Sequence, residues 1–157
     1  MTVKVQREDF DPGREIEALS AGNPKVGGVC SFVGLVRDMN DVAGQMSDVG
    51  ALTLEHYPGM TERQLEEIEA EAHRRWPLEA SLIVHRYGRM TPGERIVLVA
   101  TASPHREAAF EACHFLIDWL KTKAPFWKVE ETGAGAERWV EARDSDDAAA
   151  ARWAEKG

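Results

Sequence analysis

The pattern of apolar and polar residues predicts three strands in the first third of the chain. They are VKVQRE (residues 3–8), VGGVCSFVGLV (26–36) and ALTLEHY (51–57). The glycines of the second strand indicate a bulge or a close approach of another backbone. The segment 37–50 has no hydrophobic period, and we expect it to form a mobile loop.

Two helices are predicted around these strands. The first begins at Asp11 and Pro12, an N-cap residue followed by a good first helical residue. The second covers residues 61–76, and its first four residues, TERQ, fit a capping box. Apolar residues recur on one face of this helix, at Leu65, Ile68, Ala72 and Trp76.

The second half of the chain mixes the two kinds of element. A hairpin is predicted for SLIVHRYG (81–88) and RIVLVATA (95–102), and a long helix for about 104–123, with Ser103 as its N-cap. Two short strands, FWKVEE and RWVEAR, and a terminal helix, SDDAAAARWAE, follow. Strands and helices without a strict βαβ repeat predict an α+β fold.

Composition narrows the classes of function. The 157 residues fit one domain, expected over 1–157, and a net charge of −8 argues against general nucleic-acid binding. No apolar run is long enough for a membrane span, and the first residues lack the core of a signal peptide, so we expect a cytoplasmic protein. Cys30 and Cys113 lie in apolar segments and are expected to be free thiols, with a catalytic cysteine as the alternative.

Motifs for metals and nucleotides are not found in the sequence. Glu55 and His56 have no partners at metal-ligand spacing, and HExxH, CxxC, GxGxxG and GxxxxGK[ST] do not occur. We therefore expect neither a metal nor a bound cofactor.

The first turn of the long helix carries an unusual charge. Ser103 and Pro104 are followed by His105 and Arg106, although the free N–H groups and the helix dipole favour acidic residues there. A bound anion would remove this conflict, because the side chains and the helix end would both hold it. The alternative is that Arg106 pairs with a nearby carboxylate.

The segment LKTKAPFWKVE (120–130) places three lysines around the end of the same helix. Lys123 fits a cation that complements the helix dipole. Lys121 continues the apolar side of the helix, and Pro125 ends the helix, so that the chain turns through two aromatics that would wall a pocket and reaches Lys128. Two ammonium groups in a partly dry pocket would lower each other's pKa and be suited to anion binding, proton donation or nucleophilic attack.

The two ends of this helix are far apart. Arg106 and Lys121 are separated by 15 residues, or about 22 Å along a straight helix. That distance exceeds one small substrate, so either the ends serve separate sites or a symmetric dimer brings the start of one helix near the end of its mate.

Other basic residues are weaker candidates. Arg37 ends an apolar strand beside a loop, and Arg143 ends WVEAR in the same way; a solvated strand end is the alternative for both. His85 and Arg86 are adjacent within a strand, so their side chains are expected to face opposite ways and not to act as a pair.

Five long motifs resemble those of one enzyme family. They are FVGLVRDMN, LTLEHYPGMTE, HRYGRMTPGE, SPHREAAFEACHFLIDWLKTKAPFWKVE and WVEARDSD, in this order from about residue 26 to 153. Together they resemble the large, catalytic subunit of molybdopterin synthase. The resemblance implies an α/β hammerhead fold with an added antiparallel β subdomain.

The resemblance also implies a reaction and partners. The family adds two dithiolene sulfurs to cyclic pyranopterin monophosphate, a small pterin phosphate, and forms molybdopterin. The sulfur is carried as a thiocarboxylate on the C-terminal Gly-Gly of a small ubiquitin-like subunit. The large subunits form a central homodimer within a heterotetramer, and each pocket draws on both of them.

Residue by residue, the resemblance assigns catalysis to Lys121 and Lys128. It assigns substrate binding to eight positions: Leu35, Val36, Arg37, His105, Arg106, Val129, Glu130 and Arg143. Leu35 and Val129 stand where many relatives have basic residues, so side-chain contacts with an anionic substrate would be lost there.

The implied mechanism gives Lys121 the sulfur transfer, as proton donor or activator of the carbonyl, and Lys128 the developing negative charge. Two other functions fit the same basic residues. One is a phosphate-ester-binding transferase unrelated to sulfur, and the other is a non-catalytic adaptor that docks a ubiquitin-like tail.

Overall fold

The structure is a computed structural model. It describes the backbone of residues 1–42, 45–132, 137–140, 151 and 153, and the side chains of 1–38, 48–132, 151 and 153. The elements in chain order are β1 (Thr2–Gln6), α1 (Pro12–Ser20), β2 (Gly28–Leu35), β3 (Met39–Val42), β4 (Gln45–Asp48), β5 (Ala51–His56), α2 (Met60–Arg75), β6 (Ala80–Arg86), β7 (Gly88–Met90), β8 (Arg95–Ser103), α3 (Arg106–Thr122), β9 (Phe126–Glu131) and β10 (Glu137–Val140).

The main sheet has the strand order β1-β6-β8-β2. β1 pairs with β6 in parallel, and the other two pairings are antiparallel. The predicted hairpin is confirmed as the β6–β8 pair, but its connection contains β7, which pairs with β5 in a second sheet. The register of β2 on β8 shifts between Gly34 and Leu35, and this is the bulge that the glycine-rich strand predicted.

The two faces of the main sheet are covered by different helices. Phe10, Leu82 and Leu98 form a small apolar cluster with Leu19 of α1 on one face. The larger core lies on the other face, where Val99 packs with residues of α2, α3 and the second sheet. The α+β prediction is therefore confirmed. Among the helices in the described part of the chain, none has the length and apolarity that a bilayer span requires.

The segment 37–50 is not the loop that the sequence predicted. β3 and β4 pair antiparallel, with Met39 opposite Asp48 and Val42 opposite Gln45. Their sequences, MNDV and QMSD, do not alternate between apolar and polar residues, so the hydrophobic pattern carried no sign of them. Backbone pairing alone reveals these strands.

The second sheet has the order β10-β9-β5-β7, with antiparallel pairing throughout. Its strands β9 and β10 confirm the two short strands predicted near the C-terminus. The predicted terminal helix falls mostly outside the described residues. Within that segment the structure describes Ala151, which is helical, and Trp153, which is buried in the core.

Two predicted helix starts are wrong. α2 begins after Gly59, whose positive φ of 83° suits a residue without a Cβ, and Glu62 accepts a hydrogen bond from the Gly59 N–H. Thr61 does not cap this helix, because its buried hydroxyl accepts from the Tyr57 N–H and donates to the Pro125 carbonyl. The start of α2 is thereby tied to the turn before β9.

Ser103 likewise does not cap α3, whose N-cap is His105. Ser103 is still the last residue of β8, where its carbonyl accepts from the Gly27 N–H. Its hydroxyl donates to the Pro77 carbonyl and accepts from the His105 N–H. These bonds fix the connection from β8 into α3.

Candidate active site

α3 runs antiparallel to β8 across the face of the main sheet. The Thr101 hydroxyl donates to the Ala109 carbonyl at 2.7 Å, and the Cys113 thiol contacts the Val99 carbonyl at 3.8 Å. From Ala109 to Cys113 the helix advances by four residues, while its contact on β8 moves back by two, from Thr101 to Val99. The last turn of α3 consequently lies over the start of β8, and the first turn lies at its end.

The last turn of α3 carries Lys121, which is partly buried, while Lys123 at the C-cap is exposed. Pro125 follows the helix, as predicted, and its carbonyl is held by Thr61. The chain then enters β9 directly, because the Phe126 N–H bonds to the Ala124 carbonyl at 2.7 Å. This short turn is what keeps Lys121 close to the residues of β9.

β9 presents Lys128 on the face that meets the core. Lys128 is paired with Leu54 of β5, and Phe126 is paired with His56. Since residues two apart lie on one face of a strand, Phe126 and Lys128 share the face of the fully buried Leu54. Lys128 is partly buried as a result.

A buried histidine of β6 lies against β9, where the charges of both lysines act on it. The His85 ring stacks on Phe126, with centroids 3.8 Å apart and planes 16° apart. Burial lowers the pKa of His85 to about 3, a hydrogen bond with the Arg86 carbonyl opposes that change, and the charges of Lys128 and Lys121 lower the pKa further. The structure thus brings both predicted lysines to one neutral imidazole.

His85 was missed as a site residue. From the sequence, His85 and Arg86 were expected to face opposite ways and not to act as a pair. The two side chains do contact different elements, because Arg86 bonds to the Arg7 and Arg95 carbonyls. The available signal was a histidine that directly follows the apolar residues 82–84 of a predicted strand. Nothing local indicated that the end of α3 would cover it.

The two aromatics between the lysines do not share one pocket. Phe126 lies against His85 and, at a centroid distance of 6.3 Å, near His56. Trp127 points to the other face of β9 and packs on Tyr57, with centroids 4.7 Å apart. Only Phe126 walls the lysine site, since neighbouring residues of a strand face opposite ways.

The first turn of α3 forms the opposite end of the arrangement. His105 and Arg106 are both exposed, and within residues 1–38 and 48–132 neither side chain makes an ion pair. The described structure therefore does not show the carboxylate partner considered for Arg106. Gly27 packs against this turn so closely that a Cβ there would lie 2.2 Å from the Pro104 carbonyl oxygen.

Arg37 lies at the end of the main sheet that carries Lys121 and Lys128, which we call the lysine end. It does not lie at the opposite end, beside the first turn of α3, which we call the Arg106 end. It follows β2, whose last residue, Leu35, pairs with Arg95 at the start of β8. Val36 is buried, and both its N–H and its carbonyl are bonded within the chain, to Glu94 and Gly93. Leu35 is 51% exposed, so it is accessible as an apolar side chain only.

The remaining predicted substrate residues lie on or near β9. Val129 pairs with Thr53 and is partly buried, and Glu130 is buried. Arg143 lies outside the described residues. Its assignment, like those of the other site residues, stays a prediction.

Other reactive groups do not form a second centre in the described residues. Cys30 and Cys113 are free, and burial and the neighbouring Cys30 thiol raise the pKa of Cys113, which makes it a poor nucleophile at neutral pH. In the part of the chain with described side chains, no group of three or more His, Cys, Asp or Glu is arranged to hold a metal ion.

Comparison with known proteins shows the family to which the chain belongs. Residues 5–123 match the model of the MoaE protein family. The molybdopterin synthase catalytic subunit of Pseudomonas aeruginosa is 57% identical over 155 residues, which cover 99% of this chain and 100% of that protein.

Solved structures show the same fold. The molybdopterin biosynthesis MoaE protein from Burkholderia ambifaria is 54% identical, with a TM-score of 0.80 and coverage of 98% of this chain and 97% of the other. The complex of subunits 1 and 2 of the molybdopterin-converting factor from Helicobacter pylori contains a chain that is 20% identical, with a TM-score of 0.68 and 90% coverage of both chains. The chain belongs to the MoaE family, the catalytic subunits of molybdopterin synthase, an enzyme of molybdenum cofactor biosynthesis.

Proposed function

We propose that this chain transfers sulfur to cyclic pyranopterin monophosphate from the thiocarboxylated Gly-Gly end of a small ubiquitin-like subunit. The observation that carries the proposal is that the short turn at Pro125 places Lys121, in the last turn of α3, and Lys128, on the core-facing side of β9, at the same end of the main sheet. The charges of both lysines act there on the buried His85. A thiocarboxylate is an anion with an electrophilic carbonyl carbon, and two ammonium groups in a partly dry site suit it. We further propose that the chain acts as a single domain and that the reaction takes place in the cytoplasm.

In this proposal the lysine end performs the chemistry. Lys121 lies by the thiocarboxylate and either donates a proton or activates the carbonyl while the sulfur leaves. Lys128 stabilises the negative charge that develops on the reacting atoms. Arg37, at the same end of the main sheet, contributes to binding of the anionic substrate.

The Arg106 end binds the substrate phosphate in the same proposal. His105 and Arg106 offer two side-chain donors beside the free N–H groups of the helix start. Because Lys121 is about 22 Å away along the helix, the phosphate is held by the first turn of α3 of a second copy. A homodimer within a heterotetramer supplies this arrangement, and the Helicobacter pylori neighbour is itself a complex of two different subunits.

Substitution of Lys121 tests the proposal directly. With thiocarboxylated small subunit and cyclic pyranopterin monophosphate, Lys121→Ala is expected to lose about 100-fold or more of dithiolene product formation. Lys123→Ala is the matched control, because Lys123 is exposed and only two residues away; it is expected to stay within about twofold of the unchanged protein. Near-normal turnover by Lys121→Ala would refute the assignment.

The two alternative functions make different predictions. For a phosphate-ester transferase, no sulfur would move from the thiocarboxylated subunit to the pterin. For a docking adaptor, the double substitution of Lys121 and Lys128 by Ala would leave binding of the small subunit intact, and there would be no activity to lose.

A further inference from the structure

His85 has no role in the proposed reaction so far. The side chain is 7% exposed and lies on β6, on the face of the main sheet that α3 covers. A buried imidazole in a strand of apolar residues is costly unless its two nitrogens have partners. Each ring nitrogen of His85 is therefore expected to have a hydrogen-bond partner.

The first nitrogen is accounted for by the backbone. His85 Nδ1 lies 2.9 Å from the Arg86 carbonyl oxygen. A carbonyl oxygen only accepts, so Nδ1 carries the proton and donates it. In a neutral imidazole the other nitrogen, Nε2, then has a lone pair and no proton. With a pKa of about 3, the ring is neutral at neutral pH.

The second nitrogen makes no hydrogen bond with the side chains that the structure describes, and the ring lies against the strand that carries Lys128. Nε2 is the ring nitrogen farther from the β6 backbone, and the ring is held flat against Phe126 of β9. Lys128 lies two residues further along β9 on the same face. Among the charged groups that lower the pKa of His85, Lys128 acts most strongly, followed by Lys121 of α3 and His56 of β5.

We propose that His85 is a positioning residue, whose Nε2 accepts a hydrogen bond from the Lys128 ammonium group and holds it toward the reacting atoms. The Arg86 carbonyl fixes the tautomer and Phe126 fixes the plane of the ring, so the acceptor is preorganised. A protonated imidazole at this position would repel both lysines, whereas the neutral acceptor stabilises the ammonium form without adding charge. The inference rests on the role proposed for Lys128.

Three variants separate positioning from packing. His85→Phe keeps an aromatic ring against Phe126 but has no acceptor. His85→Asn can donate to the Arg86 carbonyl but is too short to reach Lys128. His85→Gln extends a carbonyl oxygen to about the position of Nε2 and is the conservative replacement.

Kinetics with the thiocarboxylated subunit give the first readout. His85→Phe and His85→Asn are expected to lower kcat about tenfold at their own pH optimum, with KM within about twofold, and His85→Gln is expected to recover most of the loss. Loss of the acceptor lowers the pKa of Lys128, so the pH profile of kcat shifts to lower pH in the first two variants. This direction holds whether the lysine reacts as ammonium or as amine.

A second readout does not depend on activity. In protein with ¹³C-labelled lysine, the Lys128 signal, assigned from Lys128→Arg, is expected to titrate at lower pH in His85→Phe and His85→Asn than in the unchanged protein. Histidine is ¹³C-labelled in the same protein, because His56, which lies 3.7 Å from a Glu62 oxygen and also acts on His85, has to be observed separately from the lysines. The titration of Lys121 is recorded in the same spectra.

The outcomes are distinct. An unchanged Lys128 titration together with normal kcat in the two acceptor-free variants would overturn the inference, even if Lys121→Ala and Lys128→Ala are inactive. Normal turnover by those two lysine variants would instead overturn the proposed function, and the titration would still decide the His85–Lys128 bond. If His85→Phe does not fold, as judged by its thermal transition, His85→Asn and His85→Gln carry the test.

Discussion

The two ends of α3 use basic residues in different physical settings. At the last turn, Lys121 is partly buried and lies with Lys128 beside a buried imidazole and an aromatic ring. At the first turn, His105 and Arg106 are exposed beside the free N–H groups of a helix start. A charge interacts several times more strongly at a partly dry site than in water.

Because of this difference, the lysine end is suited to the chemical step and the Arg106 end to binding of the substrate. The lysine end is suited to stabilise charge that develops during a reaction, because few waters compete there. The Arg106 end is suited to attract and hold a charge that already exists, such as a phosphate, and its contribution is weakened by salt. A single helix carries the two parts of the proposed site at opposite ends, so a complete site requires two chains.

Mixed dimers give the largest expected effect. Homodimers of Lys121→Ala or of Arg106→Ala each damage both sites, whereas a dimer with one subunit of each kind retains one intact site if the two residues come from different chains. Dissociation and reassociation of equal amounts is then expected to recover roughly a quarter of the unchanged activity. The measurement is product formation before and after mixing.

The control for this experiment mixes two substitutions that both lie at the lysine end. Lys121 and Lys128 of one chain lie on either side of its Pro125 turn, so mixing Lys121→Ala with Lys128→Ala leaves every site defective and recovers nothing. Recovery in the control, or none in the Lys121 and Arg106 mixture, would contradict the assignment of the two ends to different chains.

Gly27→Ala tests the first turn by itself. The added Cβ would lie 2.2 Å from the Pro104 carbonyl oxygen, so the connection into α3 has to move at a cost of about 2 kcal/mol in the free energy of unfolding. We expect a lower Tm and a raised KM for the pterin phosphate, with less change in kcat.

Gly28→Ala is the neighbouring control for that substitution. Its nearest atom would be the Arg106 Cα at 4.0 Å, an ordinary contact. It is expected to change stability and KM much less than Gly27→Ala does. Equal effects of the two substitutions would show that the close approach at Gly27 is not what positions the helix start.

The smallest expected effect is an acid dependence of stability at the lysine end. The pKa of His85 is lowered to about 3 in the folded chain and is about 6.5 in an unfolded one. As pH falls below about 6.5, the unfolded state takes up a proton that the folded state does not, so the free energy of unfolding falls by about 1.4 kcal/mol per pH unit from this group.

Urea unfolding of His85→Gln measures this contribution. Between pH 6.5 and 5.5 the variant is expected to lose about 1 kcal/mol less than the unchanged protein, because the unfolded histidine is only half protonated at pH 6.5. Burial raises the pKa of Glu69, which gives an opposite dependence at lower pH, but this group is present in both proteins and cancels in the difference. Parallel pH profiles would contradict a neutral, buried His85.

The sequence predicted elements best where local chemistry and hydrophobic period agreed. Asp11 caps α1 through a hydrogen bond from the Arg14 N–H, and Leu65, Ile68 and Ala72 lie on the buried face of α2. The predicted N-caps were wrong where the side chain has a hydrogen-bond partner that is distant in the sequence. Thr61 and Ser103 are good N-cap residues by type, but each is bonded to a proline carbonyl far along the chain.

The candidate site divides in the same way. The sequence by itself determined that α3 ends near Pro125, that Lys121 and Lys128 flank that turn, and that Arg106 is about 22 Å from Lys121, because these follow from chain geometry and residue type. Only the tertiary structure decided that His85 lies at the lysines, that Trp127 faces away from them, and that Arg37 belongs to the lysine end. Each of these depends on how α3 and β9 pack on β6 and β8, which are contacts between residues distant in sequence.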